Sequence, residues 1–185
     1  MHRPPQLLSG SAFALAAGLM WGLVFVAPLL LPQYPPALLA VGRYLAFGLI
    51  CLPLALLDRD ALRTLTPADW WQAARLSLVG NFLYYLALAA AIQRAGNPLV
   101  SAIIGTLPVV IALASNRRNA RRDGALPASR LAPSLLAMLL GIACVNHTEL
   151  AQLQGDALGR YVEGGLIALL ALACWTWYPI RNADW

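Results

Sequence analysis

The sequence predicts an all-α protein that crosses a membrane about six times. Hydrophobic residues make up 60% of the 185 residues and charged residues only 11%, whereas soluble domains have about a quarter of their residues charged. The mean hydropathy is +0.66. Long uncharged segments alternate with short polar turns, and the stretch 81–110 shows this pattern most clearly as two apolar helices around one tight turn. Such a hairpin is typical of a membrane rather than a soluble core.

Five of the predicted helices form a first unit over residues 1–147, and a sixth follows after a predicted external loop over 148–162. Thr66, Pro67 and Asp69 predict the start of the third helix, since threonine caps a helix, proline suits its first turn and aspartate can reach back. The five helices are predicted over residues 10–31, 37–57, 67–92, 98–115 and 131–147, and the sixth lies in 163–185.

Glycine and proline divide these apolar stretches. Gly96 and Asn97 suit the end of the third helix, and Pro98 suits the first turn of the fourth. Pro53 and Pro108 lie inside apolar segments, where proline removes a backbone hydrogen bond and bends the helix. We therefore predict kinks at both prolines.

The arginines predict the orientation of the chain. All of its basic residues are arginines, and cytoplasmic loops carry most of the positive charge of a membrane protein. A cytoplasmic N-terminus places ten of them inside: Arg3, Arg59, Arg63, Arg75, Arg117, Arg118, Arg121, Arg122, Arg130 and Arg181. The basic run at 117–122 lies between two spans, so it indicates the cytoplasmic side and not a nucleic-acid partner.

The first and sixth helices share a short pattern. With Trp21 aligned to Trp175, four residues match: Ala14, Leu15, Ala17 and Trp21 with Ala168, Leu169, Ala171 and Trp175. The second copy lies five spans after the first, and an odd displacement inverts it relative to the first. Inverted repeats with a site between them are the architecture of many secondary transporters.

Four segments resemble the EamA-type transporters of the drug/metabolite transporter superfamily, namely residues 16–22, 36–44, 84–108 and 172–178. The resemblance implies ten helices in two inverted five-helix repeats, an inner-membrane location and passage of a small metabolite by alternating access. This chain holds about six helices, which is one repeat and the first helix of the next. The alternative is a truncated membrane protein that does not transport, or a scaffold partner.

Arg43 is the strongest candidate for a solute-binding residue. A charged side chain within a span costs about 2.5 to 3.5 kcal/mol on insertion scales, so it normally turns inward and finds a partner. Arg43 could anchor a carboxylate or phosphate of an amphipathic or anionic solute. The alternative is structural, because Arg43 lies close enough to Pro36 to bond helix-end carbonyls or reach the outer interface.

A group of aromatic and polar residues could line the substrate pathway with Arg43, since aromatic rings with polar tips suit amphipathic solutes. Each could instead pack against a neighbouring helix or anchor at the interface. The candidates are Trp21, Tyr44, Asn81, Tyr84, Tyr85, Ser101 and Trp175.

Nothing in the sequence indicates an enzyme, a cofactor or a metal site. Cys51, Cys144 and Cys174 lie in apolar spans without a paired spacing, and buried cysteines commonly act as small hydrophobic residues. There is no phosphate-binding loop of the Walker type. The expected partners are a small-molecule solute and the lipid bilayer, and a homo-oligomer is left open.

Overall fold

A computed structural model describes residues 4–123, 128–152 and 155–185, and every regular element within these ranges is helical. The predicted all-α membrane fold is therefore confirmed. The elements are α1 (Pro4–Leu30), α2 (Pro36–Leu57), α3 (Arg59–Arg63), α4 (Pro67–Ser77), a π-helix (Leu78–Leu83), α5 (Tyr84–Gly105), α6 (Leu107–Asp123), α7 (Ala128–Gln152) and α8 (Asp156–Asn182).

Four stretches of the described residues are long and apolar enough to cross a membrane: Ser9–Leu30, Pro36–Leu57, Pro67–Arg118 and Asp156–Asn182. A shorter apolar helix covers Ala132–Cys144. A transmembrane helix needs about 20 residues, so the stretch of 52 residues from Pro67 is long enough for two crossings if it folds back.

The break that allows this reversal lies at Gly96, within the predicted turn. Gly96 has φ 77° and ψ 167°, a conformation that glycine adopts without the steric cost of a Cβ atom. We call residues 67–123 the hairpin, with residues 67–95 as its first arm and residues 97–123 as its second arm. The first arm begins with the predicted capping box, in which the Thr66 hydroxyl oxygen accepts a hydrogen bond from the Asp69 backbone N–H.

Contacts with α8 show that the two arms run in opposite directions. Gly164 of α8 lies beside Ala95, and Tyr178 lies beside Gly80, so α8 is antiparallel to the first arm. Near the other end of α8, Arg118 of the second arm pairs with Asp184. Gly165 lies beside Leu99, so α8 is parallel to the second arm.

The hairpin and α8 form the best-packed part of the molecule. Among the residues that the structure describes, the most extensive helix contact joins α5 to α8. At Gly80 an added Cβ atom would lie 2.3 Å from the Tyr178 ring, and at Gly164 it would lie 2.5 Å from the Ala95 Cβ. Two glycines thus let α8 approach the first arm more closely than any larger residue would. Most side chains of α1 and α2 are exposed, although both helices contact α5.

Several boundaries differ from the sequence-based expectations. The predicted external loop over 148–162 is largely helical, because α7 continues to Gln152 and α8 begins at Asp156. The two extended ends are joined where the Tyr161 hydroxyl donates a hydrogen bond of 2.6 Å to Asn146 Oδ1. The π-helix was not anticipated either, since nothing in an apolar stretch distinguishes a π turn from an α turn.

The two prolines predicted to kink helices occupy different settings. α2 continues through Pro53 as one helix. Pro108 is the second residue of α6, which follows a one-residue break at Thr106. The Thr106 hydroxyl donates to the Ile103 carbonyl at 2.7 Å and so occupies an acceptor at the end of α5. Arg3 and the side chains of Arg121, Arg122 and Arg130 lie outside what the structure describes.

Candidate functional site

Arg43 lies in a box of aromatic rings between α2 and the first arm. Its guanidinium carbon is 4.6 Å from the centre of the Tyr85 ring, 5.8 Å from that of Tyr44 and 5.7 Å from that of Phe47. A cation over an aromatic face within about 6 Å gains roughly 0.5 to 2 kcal/mol, and the gain is larger where water is excluded. The rings therefore offset part of the cost of placing this charge in a span.

The box leaves hydrogen-bonding capacity unused. Arg43 Nε is buried and has no hydrogen-bond partner among the described residues. The same is true of the Tyr84 hydroxyl, although Tyr84 is only 3% exposed. A buried polar group left without a partner costs about 1 to 3 kcal/mol, and such groups are rare in native proteins. Arg43 also interacts electrostatically with Tyr84, and both residues contact or neighbour Tyr85 of the first arm.

A cavity of 510 Å³ opens beside Arg43, between α1, α2 and the first arm. Ligand pockets typically have about 300 to 1,000 Å³ and combine apolar walls with a few polar groups. Arg43 is the one charged residue of the lining. The lining residues are Met20, Leu23, Val24, Ala27, Leu31, Leu38, Leu39, Gly42, Arg43, Phe47 and Tyr85.

Tyr84 connects the site to α8 through stacked rings. The Tyr84 and Trp175 ring centres are 4.8 Å apart, and those of Trp175 and Tyr178 are 5.5 Å apart. Aromatic pairs at these separations contribute about 0.5 to 1.5 kcal/mol beyond their buried area. A displacement of α8 would therefore also change the packing of the Tyr84 ring, and Tyr84 interacts with Arg43.

The structure brings five of the predicted pathway residues into one connected group: Arg43, Tyr44, Tyr84, Tyr85 and Trp175. The other three have different surroundings. Trp21 is 45% exposed and meets Phe25 edge to face. Ser101 is exposed, and its hydroxyl donates to the Pro98 carbonyl in its own helix. Asn81 is partly buried within the π-helix.

Two further aromatic residues near Arg43 and Tyr44, Phe47 and Phe82, were not among the residues predicted to line the pathway. Phe47 packs near Tyr44 at 6.4 Å between ring centres, and Phe82 lies 6.0 Å from Tyr44. Phe47 follows Arg43 by four positions and could have been found, because residues at that spacing share a helix face. The contact between Phe82 and Tyr44 joins two helices, so the spacing of residues within one helix does not predict it.

Two ion pairs tie the hairpin to α8 at opposite ends. Arg94 Nε and Glu163 Oε1 are 2.9 Å apart at the Gly96 turn. Arg118 pairs with Asp184 at the far end, where the indole N–H of Trp185 also donates to Asp69 at 3.4 Å. These pairs are partly exposed, so each contributes at most about 1 kcal/mol. They show which end of the hairpin lies beside which end of α8.

A bundle of membrane-length helices around one partly buried arginine that lines a solute-sized cavity defines a polytopic membrane protein. The described residues contain no cluster that could hold a metal ion. Residues 8–117 match the EamA-like transporter family, and the chain belongs to that family. This confirms the resemblance on which the sequence analysis relied. The family is one of transporters, which favours transport over catalysis.

The chain is also similar to inner membrane protein YtfF of Escherichia coli strain K12. The two are 50% identical over 180 residues, which cover 97% of this chain and 56% of the relative. The chain therefore spans little more than half the length of this relative. No solved structure shows a significant match to the chain. The relative and the apolar helices together indicate a multi-pass protein of the inner membrane.

Proposed function

We propose that this chain forms part of a transporter that carries a small solute with an anionic group and an apolar body across the inner membrane. The observation that carries the proposal is Arg43, whose buried Nε lacks a partner among the described residues and which lines an otherwise apolar cavity. A carboxylate or phosphate group would accept hydrogen bonds from the guanidinium, and charge-assisted bonds of this kind are the strong ones.

The shape of the cavity supports an amphipathic solute. Apart from Arg43, most of the cavity wall consists of aliphatic side chains of α1 and α2. These side chains would bury the apolar body of the solute. Burial of apolar area contributes about 25 cal/mol per Å². Thus the solute would use Arg43 for its charged group and the aliphatic walls for the rest.

Alternating access is the proposed mode of transport, with the two faces of the site opening in turn. The support is the repeated pattern in α1 and α8, since inverted repeats of this kind place a site between them.

The proposed orientation has a cytoplasmic N-terminus. It is supported by the position of Arg118, Asp184 and Asp69 at one end of the packed unit, because the arginine distribution assigns all three to the same side. Impermeant thiol labelling of Thr64→Cys from each side of the membrane tests this orientation, and labelling only from outside would contradict it.

Binding of matched six-carbon probes to the purified chain in lipid nanodiscs tests the anionic site. We expect hexanoate or hexyl phosphate to bind at least about tenfold more tightly than the neutral hexanamide, which is about 1.4 kcal/mol. Arg43→Met should abolish that preference, because it keeps an unbranched apolar side chain and removes the charge. Arg59→Met is the control, since Arg59 lies in α3 with its side chain 69% exposed.

Equal binding of the amide, or an unchanged preference in Arg43→Met, would refute the anionic site and leave Arg43 a structural residue. Flux of the bound probe in proteoliposomes then tests transport itself. Binding without flux would favour the alternative of a membrane protein that does not transport by itself.

A further inference from the structure

A second cavity lies between the second arm and the end of α8, at the end of the packed unit that is far from the Gly96 turn. Its volume is 250 Å³, below the about 300 to 1,000 Å³ of typical ligand pockets. Arg118 and Asp184 are its charged lining residues, and Ser115 adds a hydroxyl. The rest of the lining consists of Ile111, Pro179, Ile180 and Ala183. The cavity therefore has room for a polar headgroup but not for a whole amphipathic molecule.

The cavity lies where the membrane helices that form it end. The apolar stretch that includes the second arm ends at Arg118, and the one formed by α8 ends at Asn182. Close by, the indole N–H of Trp185 donates to Asp69 Oδ1 at 3.4 Å, and Trp70, the residue after Asp69, is exposed. Tryptophan is enriched where a membrane meets water. The cavity is thus at the depth of the lipid headgroups.

Two guanidinium groups share one carboxylate at this cavity. Arg118 Nη2 is 2.5 Å from Asp184 Oδ2, and Arg181 Nη1 lies 3.9 Å from the same oxygen. All three side chains are partly exposed. A guanidinium has five N–H donors in a fork that matches the oxygens of a phosphate, so one carboxylate uses only part of what the two arginines offer. Arg117 is exposed as well, so three arginines accompany one aspartate and the net charge is positive.

We propose that this cavity binds the headgroup of an anionic phospholipid, with the phosphate on Arg118 and Arg181 and the acyl chains along the second arm and α8. Basic pockets between membrane helices are suited to such headgroups. The Ser115 hydroxyl adds a further donor, and bonds from a guanidinium to a phosphate are strong because both partners are charged. The position favours a lipid over a soluble phosphate, since both helices enter the apolar part of the membrane here.

α3 carries the same set of charges on an exposed surface and supplies the matched control. Arg59 and Arg63 lie 3.9 and 3.6 Å from Asp60 Oδ1, and all three side chains are largely exposed. A lipid that is held by surface charge alone would depend on both clusters equally. A lipid that sits in the cavity would depend on Arg118 and Arg181.

Titration of the purified chain with lipids in an uncharged detergent, followed by native mass spectrometry, tests the proposal. We expect phosphatidylglycerol to bind about 25-fold more tightly than phosphatidylcholine, because each of the two arginines contributes about fivefold, which corresponds to about 1 kcal/mol. Arg118→Gln with Arg181→Gln should abolish this preference. Arg59→Gln with Arg63→Gln should leave it unchanged.

Asp184→Asn distinguishes a lipid site from an ion pair that only joins two helices. The substitution removes the carboxylate that competes with the phosphate for Arg118, so phosphatidylglycerol should bind about fivefold more tightly. Asp60→Asn in α3 should leave binding unchanged. Unchanged or weaker binding in Asp184→Asn would overturn the proposal.

Two further outcomes would also overturn it. Equal losses from the two double arginine variants would show that only surface charge attracts the lipid. Displacement of phosphatidylglycerol by an equal concentration of glycerol 3-phosphate would assign the site to a soluble phosphate, because that probe has the headgroup chemistry without acyl chains. None of these outcomes depends on Arg43 or on transport.

Discussion

α1 and α8 carry the same pattern of small residues and tryptophan, yet only α8 buries it. Gly164 on α8 meets backbone and side-chain atoms of the first arm, whereas the equivalent Gly10 on α1 meets nothing. Trp175 stacks on Tyr84, whereas Trp21 is 45% exposed. The difference teaches that a packing motif specifies what a helix can bind, while burial depends on whether the complementary surface is present.

Buried polar groups with and without partners occur in different parts of the molecule. Beside α8 the Tyr161 hydroxyl is bonded to Asn146, although the Thr176 hydroxyl of α8 is buried without a partner among the described residues. Beside α2 the Arg43 Nε is likewise buried without such a partner, and it lies at the polar end of an apolar cavity. Proteins usually satisfy buried polar groups and depart from that rule at functional sites.

Adding one methyl group to each of the equivalent glycines gives the largest expected contrast. Gly164→Ala places a Cβ atom 2.5 Å from the Ala95 Cβ and 2.9 Å from the Ala95 backbone nitrogen, so α8 must move away from the hairpin. We expect a loss of about 1 to 3 kcal/mol in the free energy of unfolding, measured by denaturant titration in mixed micelles.

Gly10→Ala is the matched substitution on α1, where nothing lies within 4 Å. It should leave the free energy of unfolding unchanged or raise it by up to about 1 kcal/mol, because alanine favours helices over glycine. Equal losses in the free energy of unfolding from Gly164→Ala and Gly10→Ala would show that α8 is not packed more closely than α1.

Removal of a tyrosine hydroxyl should distinguish a bonded buried hydroxyl from an unbonded one, with a smaller effect. Tyr161→Phe removes the donor to Asn146 and should lower the free energy of unfolding by about 1 kcal/mol. Tyr84→Phe removes a buried hydroxyl that has no partner, so stability should stay the same or rise by up to about 1 to 3 kcal/mol. The same titration measures both, and a larger loss in Tyr84→Phe would mean that its hydroxyl is bonded within the folded chain.

The smallest effect is expected at the ion pair that joins α8 to the Gly96 turn. The Arg94 and Glu163 side chains are 37% and 54% exposed, so Glu163→Gln should cost at most about 1 kcal/mol. Even that cost should vanish at about 1 M salt, where the screening length falls to about 3 Å. A salt-independent loss of several kcal/mol would show that this pair, and not the glycine contacts, holds α8 on the hairpin.

The sequence by itself determined the class of protein and most of its helices. Low charge and long apolar segments give membrane helices whatever their partners, because unpaired backbone groups cannot be left in lipid. Thr66, Asp69 and Gly96 act within a few residues of their own positions, so the third helix start and the turn could be predicted. The lone charge in a span identified Arg43 for the same local reason.

Only the tertiary structure decided which side chains meet. Tyr84 with Trp175, Gly80 with Tyr178 and Arg94 with Glu163 are far apart in sequence, and their contacts depend on the direction and closeness of packed helices. The π-helix, the helical extent of residues 148–162 and the uncovered face of α1 follow from the same packing. Local periodicity fixes the face that a helix presents, and the neighbours available to that face decide whether it is buried.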